Sequence, residues 1–349
     1  MKKTIALLVC LVLMTGLFTG CSGSKKESQI TLNVFNWGEY IDESVLDEFT
    51  EQTGIRVQYT TFGDTGEEYS KLKSGGGDYD VIFSSDFMIN RMIEEGMLEE
   101  LDLSQIPNFD KVDDSYKGIE FDPENQYSVP YMSGTVGINY NKSMVSDPVT
   151  DWDILWNEKY QDQILMFTDS RDAFGVALKK LGYSYNTTDT EQIHAAAEEL
   201  KKQKPLVQAY VMDQMYDKMI SGEAAIGVYY AGDCNVMIEE NPDLAFVLPQ
   251  DGTNFFIDAM CIVKGSKNKD AAAQFINFMC EPEISAKNCD VTCYSTPITE
   301  ARDLLDTSLT NNETIYPSKE YLASCETYLN LPADIWALYD KLYIEIMSQ

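Results

Sequence analysis

Residues 30–59, ITLNVFNWGEYIDESVLDEFTEQTGIRVQY, spell out one strand–helix–strand unit. Ile30 to Phe35 alternates apolar and polar side chains and carries β-branched residues, the pattern of a strand. Asp42-Glu43-Ser44 opens an amphipathic helix through Val45, Leu46 and Phe49. Gly54 ends it, and Ile55 to Tyr59 is the next strand. The same grammar continues. Glu67 to Lys73 is a short helix closed by Gly75-Gly76-Gly77, and Asp80-Val81-Ile82-Phe83 is an apolar strand expected to be central and parallel. Met88 to Glu95 is helical, with Gly96 as its stop.

A second run follows a Gly-punctuated strand at Tyr131 to Tyr140. Ile164-Leu165-Met166-Phe167 is a buried strand and Asp172 to Leu181 a helix ended by Gly182. Thr188-Asp189-Thr190-Glu191 caps a helix running to Lys202. Strands at Leu206 to Tyr210 and Ala224 to Tyr230 flank a helix at Asp213 to Ile220. A strand at Phe255 to Val263, a helix at Lys269 to Met279 and an amphipathic helix at Ala333 to Ile346 complete the chain. Alternating β and α units predict doubly wound parallel sheets, and two such runs in 349 residues predict two α/β lobes.

The composition excludes several chemistries. Asp and Glu number 57 against 26 Lys and Arg, a net charge of −31, which repels phosphate backbones and argues against nucleic acid as a partner. His194 is the one histidine, so a Ser-His-Asp triad or a two-His metal site has no material to be built from. No cofactor or metal site is expected.

Residues 1–20 read as a secretory signal, with Lys2 and Lys3 before an apolar Ile5 to Leu13 that is short for a membrane span. Leu17-Phe18-Thr19-Gly20-Cys21 resembles the lipobox of bacterial lipoproteins, although Phe18 stands where an aliphatic residue is usual. It implies cleavage before Cys21 and a lipid on its sulfur. Residues 21–28 then form a small, polar tether. No later stretch is long and apolar enough to span a bilayer, so the expectation is an extracytoplasmic protein held by its lipid on the outer face of the cytoplasmic membrane. Six cysteines remain: Cys234, Cys261, Cys280, Cys289, Cys293 and Cys325. In a large domain these read as buried apolar thiols, with a disulfide left open by the compartment.

Ligands of such folds sit beyond the carboxyl ends of the strands. The residues there are Asn36-Trp37-Gly38-Glu39-Tyr40, Ser84-Ser85-Asp86-Phe87, Thr168-Asp169-Ser170-Arg171-Asp172 and Tyr229-Tyr230. Phe255-Phe256-Ile257-Asp258 opens a strand, and Tyr294 precedes Ser295-Thr296-Pro297. Aromatic faces with carboxylates suit an organic cation: rings attract ammonium groups and pack methylenes, and carboxylates accept charge-assisted hydrogen bonds. No nucleophile stands with a base, so no catalytic residue is assigned. Other roles stay open at this level. Trp37, Tyr40, Tyr230 and Phe256 could be core. Asp169 could cap the following helix, and Asp172 could complement its dipole. Arg171 is expected to pair with a neighbouring carboxylate.

Asn36-Trp37-x-Glu39-Tyr40, Glu95-Gly96-Met97, Tyr127-Ser128-Val129-Pro130-Tyr131, Thr168-Asp169, Lys180 to Ser184 followed by Asn186-Thr187-Thr188-Asp189, Ile276-Asn277-Phe278 and Tyr294 to Pro297 together resemble the bacterial polyamine-binding lipoproteins that serve spermidine/putrescine ABC importers. The resemblance covers nearly the whole chain after the signal. It implies an α/β, two-lobe periplasmic-binding-protein fold of type II, with two chain crossovers and the ligand in the interlobe cleft. Lobe 1 would hold 29–134 and 260–305, and lobe 2 would hold 135–259 and 306–349. It implies a polyamine delivered to the transmembrane subunits of an ABC permease. It places ligand contacts on Trp37, Tyr40, Ser85, Phe87, Asp169, Asp172, Tyr230, Phe256, Asp258, Tyr294 and, in the segment Glu326 to Tyr328, on Tyr328. Asp169, Asp172 and Asp258 would hold amines while the aromatics box the methylene chain. The family often has Trp at the positions of Tyr230 and Phe256, Tyr at Phe87 and a longer Glu at Asp172. Those differences bear on the choice among putrescine, spermidine and spermine. The alternatives are the same fold with another small cationic or neutral solute, and a secreted hydrolase using Asp169 and Asp172.

Overall fold

The computed structural model describes residues 30–75 and 78–348. The expected signal at 1–20, the expected lipidation site Cys21 and the expected tether at 21–28 lie outside them. Nine strands are present among the described residues: β1 (Thr31–Trp37), β2 (Arg56–Phe62), β3 (Val81–Ser85), β4 (Ser128–Asn141), β5 (Ile164–Phe167), β6 (Val207–Val211), β7 (Ile226–Tyr230), β8 (Leu244–Val247) and β9 (Phe255–Ile262). Their order is β2-β1-β3-β9-β4-β7-β5-β6, with β8 also on β4. The longer helices are α1 (Ser44–Thr53), α2 (Thr65–Lys73), α3 (Asp86–Glu94), α4 (Ser170–Lys180), α5 (Thr190–Gln203), α6 (Gln214–Ile220), α7 (Ala231–Glu240), α8 (Lys269–Met279), α9 (Pro282–Thr292) and α10 (Ala333–Met347).

The strand β4 divides the sheet into two lobes. Its first half, Ser128 to Thr135, pairs with β9, and its second half, Val136 to Asn141, pairs with β7 and β8. Chain direction explains the mixture of pairings. β1, β2 and β3 are parallel, as are β5, β6 and β7, and both groups end at the gap between the lobes. A strand that enters a lobe from that gap must run against its neighbours. β9 does so in the first lobe and the second half of β4 does so in the other, and both are antiparallel. β3 is therefore central, with every residue buried, but parallel only on its β1 side. Pro130 inside β4 falls at a register shift between Pro130 and Met132, where the missing N–H is tolerated.

Each lobe buries its own core. Leu32, Val34, Phe49, Phe83 and Phe275 are fully buried in the first, and Trp152, Ile164, Phe167, Met215 and Ile226 in the second. α10 packs on the second lobe through Tyr339, whose ring meets Phe174 at 4.9 Å. Three elements had no clear sequence signature: β8 has only four residues, α7 opens on Ala231-Gly232, and α9 has Pro282 in its first turn. The six cysteines of the described residues are free thiols, five buried and Cys325 half-buried. No described helix is long and apolar enough to cross a membrane.

Candidate functional site

The strand ends face each other across a cleft of about 880 Å³, including the part open to solvent. β1, β2 and β3 end there in Trp37, Phe62 and Ser85, and Asp169 follows β5, Asp213 follows β6 and Tyr230 ends β7. β9 runs the other way, so it contributes its beginning. Phe256 and Asp258, two residues apart on one strand, share a face. All eleven positions expected to contact ligand line this one cleft: Trp37, Tyr40, Ser85, Phe87, Asp169, Asp172, Tyr230, Phe256, Asp258, Tyr294 and Tyr328.

The aromatics form a continuous row. Tyr230 lies 5.6 Å from Phe256, Phe256 lies 5.9 Å from Tyr294, and Tyr294 lies 5.0 Å from Tyr40, all edge-to-face. Phe87 and Tyr328 meet at 5.8 Å across the lobes. Tyr328 is brought in by a bridge between Asn254 and Glu326, which holds the segment Glu326 to Tyr328 against the start of β9.

The carboxylates are set by these elements one at a time. Asp169 both caps α4 and faces the cleft. Its Oδ1 accepts the N–H groups of Arg171 (2.8 Å) and Asp172 (3.4 Å), and its Oδ2 accepts the Thr65 hydroxyl of the opposite lobe (3.2 Å). Asp172 accepts the hydroxyls of Tyr230 (2.6 Å) and Tyr328 (3.1 Å). Burial, with the neighbouring Asp169 charge, pushes its carboxyl up to about 7. Asp258 is buried beside the Tyr40 phenol, and burial lifts it to about 7 as well.

Five further carboxylates line the cleft, Glu39, Asp64, Asp86, Asp213 and Asp233, and none of them is among the contacts expected from sequence. Asp86 starts α3 next to Ser85 and is 1% exposed; its Oδ1 accepts the Phe87 N–H (2.7 Å) and its Oδ2 has no partner. Burial raises it well above the ordinary value, reinforced by Asp258. Its place at a strand end was visible, yet a helix-start aspartate reads first as a cap. Asp233 sits in the first turn of α7, a helix the pattern did not show. It accepts the Tyr216 hydroxyl (2.6 Å) and the Tyr294 hydroxyl, and burial pushes it to about 6. Behind the cleft, fully buried Glu68 accepts the Ser84 hydroxyl at 3.0 Å, and burial lifts it to about 8.

The one cation lining this cleft among the described residues is Arg171, and it does not form the carboxylate pair expected of it. Its Nη2 donates to Asn186 Oδ1 (3.2 Å), and its guanidinium lies 4.6 Å from the Tyr328 ring and 5.3 Å from Trp336. Aromatic faces delivered by Tyr328 and α10 hold the flat guanidinium away from Asp169 and Asp172. Its Nε and Nη1 remain unpartnered. Its charge is still felt at Asp172 and Asp86, but among the described residues no carboxylate lining the cleft is in an ion pair. Among the described residues no cluster is arranged to hold a metal.

Close approach of α7 makes the Tyr294–Asp233 contact. A Cβ on Gly232 would lie 2.4 Å from the Tyr294 ring. Gly232→Ala should displace that ring and destabilise the protein by about 1–3 kcal/mol. A thermal melt reads this directly, and an unchanged midpoint would contradict it.

Comparison with known proteins places this architecture. Residues 44–316 match the family model of bacterial extracellular solute-binding proteins. The chain is 35% identical over 332 residues to the spermidine/putrescine-binding periplasmic protein of Escherichia coli strain K12, covering 94% of this chain and 95% of that one. The crystal structure of the spermidine/putrescine ABC transporter substrate-binding protein PotD from Streptococcus pneumoniae is 38% identical, with a TM-score of 0.80, and the match covers 92% of this chain and 99% of that one. The TpPotD lipoprotein of Treponema pallidum is 28% identical with a TM-score of 0.82, over 90% of this chain and 99% of that one.

Proposed function

Since this chain belongs to the bacterial extracellular solute-binding proteins, we propose that it captures a polyamine between its lobes and delivers it to an ABC permease, without catalysis. One observation carries the reading: Asp86, Asp172 and Asp258 are at most 7% exposed in a cleft whose single cation among the described residues is turned onto aromatic rings. Buried carboxylates without cationic partners are strongly unfavourable, and a ligand bearing several ammonium groups removes that penalty. Asp169, Asp172 and Asp258 accept the ammonium groups. Trp37, Tyr40, Phe87, Tyr230, Phe256, Tyr294 and Tyr328 enclose the methylenes, and Ser85, whose buried hydroxyl has no partner, adds an acceptor.

In this reading the two closing bodies follow the sheet: 29–134 with 255–305, a boundary moved from 259/260 so that β9 stays whole, and 135–254 with 306–349. Closure on ligand is the signal read by the transmembrane subunits. The lipid on Cys21 keeps the protein on the outer face of the membrane, beside the permease. Isothermal titration calorimetry of residues 22–349 with putrescine, spermidine, spermine and an arginine control tests the proposal. Saturable one-to-one binding of a polyamine at about micromolar Kd or tighter is expected. Flat traces with all three polyamines would overturn it.

A further inference from the structure

We infer that Asp233, held between Tyr216 and Tyr294, is a third ammonium acceptor, which fits the cleft to a triamine in preference to a diamine. The inference rests on the polyamine reading above and extends it to the number of charges.

Apart from Glu39, Asp64 and Asp213, which also line the cleft, the other carboxylates there occupy two places. Asp169 and Asp172 stand at the start of α4, and Asp258 stands on β9 with Asp86 beside it; Ser85, the residue before Asp86, pairs with Asp258 in the sheet. Asp233 is at neither. The aromatic row runs Tyr230, Phe256, Tyr294 at spacings of 5.6 and 5.9 Å. The Tyr230 hydroxyl meets Asp172 at one end, and the Tyr294 hydroxyl meets Asp233 at the other. Asp258 lies on the same strand face as Phe256, the middle ring of the three. A chain lying along these rings passes three carboxylate stations in turn. A diamine engages two, and an amine with three charges engages all.

A second observation points to a ligand at this end. The Tyr40 side chain is 5% exposed, and its hydroxyl, which faces both the Asp258 and Asp233 carboxylates, has no partner at close hydrogen-bond distance. A buried phenol without a partner is unfavourable unless something supplies one. An ammonium group at Asp233 would donate to that oxygen. Both oxygens of Asp233 already accept phenolic O–H groups, which fixes the carboxylate in place and leaves their remaining lone pairs free to accept.

The test compares wild type and Asp233→Asn by calorimetry with putrescine, spermidine and the two mono-acetylated spermidines, which keep the chain but lose one terminal charge. Wild type should bind spermidine about 10-fold or more tighter than putrescine, the scale of one charge-assisted hydrogen bond. Asp233→Asn should lose about 10-fold or more on spermidine and less than about 3-fold on putrescine. One acetylated isomer should bind wild type poorly and show no further loss with the variant. If Asp233 only clamps α7 to Tyr294, both amines weaken equally, and the inference fails. Equal wild-type affinities for spermidine, putrescine and both acetylated isomers overturn it without any variant, so misfolding of Asp233→Asn does not shelter it. No binding of any polyamine to wild type would instead refute the functional reading beneath it.

Discussion

Asp258→Asn is expected to weaken polyamine binding by about 2–4 kcal/mol while making the free protein more stable at pH 8. The two effects share one cause. Asp258 is 6% exposed, next to Asp86 and with no cation at hand, so its charge is held out of water at a cost. The amide keeps the volume and removes the charge. With the carboxyl lifted from 3.8 to about 7 in the folded protein, the penalty relieved above pH 7 is on the order of a few kcal/mol. At pH 5 the folded carboxyl is neutral and only the part of the penalty that builds up between about pH 4 and 5 remains, so the stability gain should shrink to less than half of its value at pH 8. Calorimetry gives the affinity and thermal melts at pH 5 and 8 give the stability. Wild-type affinity, or a variant less stable than wild type at pH 8, would remove Asp258 from the site.

The second large effect is a pH dependence whose sign is unusual for carboxylates. Asp172 and Asp258 at about 7, Asp233 at about 6 and Glu68 at about 8 all lie above their unfolded values. Folding therefore takes up protons between the unfolded values near 4 and these raised ones, so stability falls as pH rises through that window. The ion-paired Glu95 and Glu99, held down to about 2, contribute in the opposite sense, but their contribution is complete by pH 5. The free protein should melt about 5 °C or more lower at pH 8 than at pH 5. Alkyl ammonium groups stay charged across this range, so saturating spermidine should raise the midpoint much more at pH 8 than at pH 5. Binding near pH 6.5 should release protons, visible as a dependence of the calorimetric enthalpy on buffer ionisation. A ligand-induced shift of equal size at both pH values would show that these carboxylates do not meet the ligand.

The α/β alternation was legible because it is local. Strand and helix periods from Ile30 to Tyr59 and again from Ile164 to Tyr230 follow from which side chains one element must bury, and β1, β2, β5 and β7 lie where that pattern put them. The strand-end rule then located Trp37, Ser85, Asp169 and Tyr230, since a parallel strand ends where its lobe opens. Direction was not legible: nothing within Phe255 to Ile262 says that β9 runs against β3, because that is settled by which lobe the chain has just left. Nor were α7 and Asp233, whose position depends on Gly232 passing against Tyr294, 62 residues further along the chain. Arg171 makes the same point most sharply. Its neighbours in sequence are Asp169 and Asp172, yet its neighbours in space are Tyr328 and Trp336. Residue types and local periods thus determined two lobes and a cleft with acidic and aromatic walls. Which charges are compensated there was decided by long-range packing, because the free energy of a buried charge depends on every group around it and not on its position in the chain.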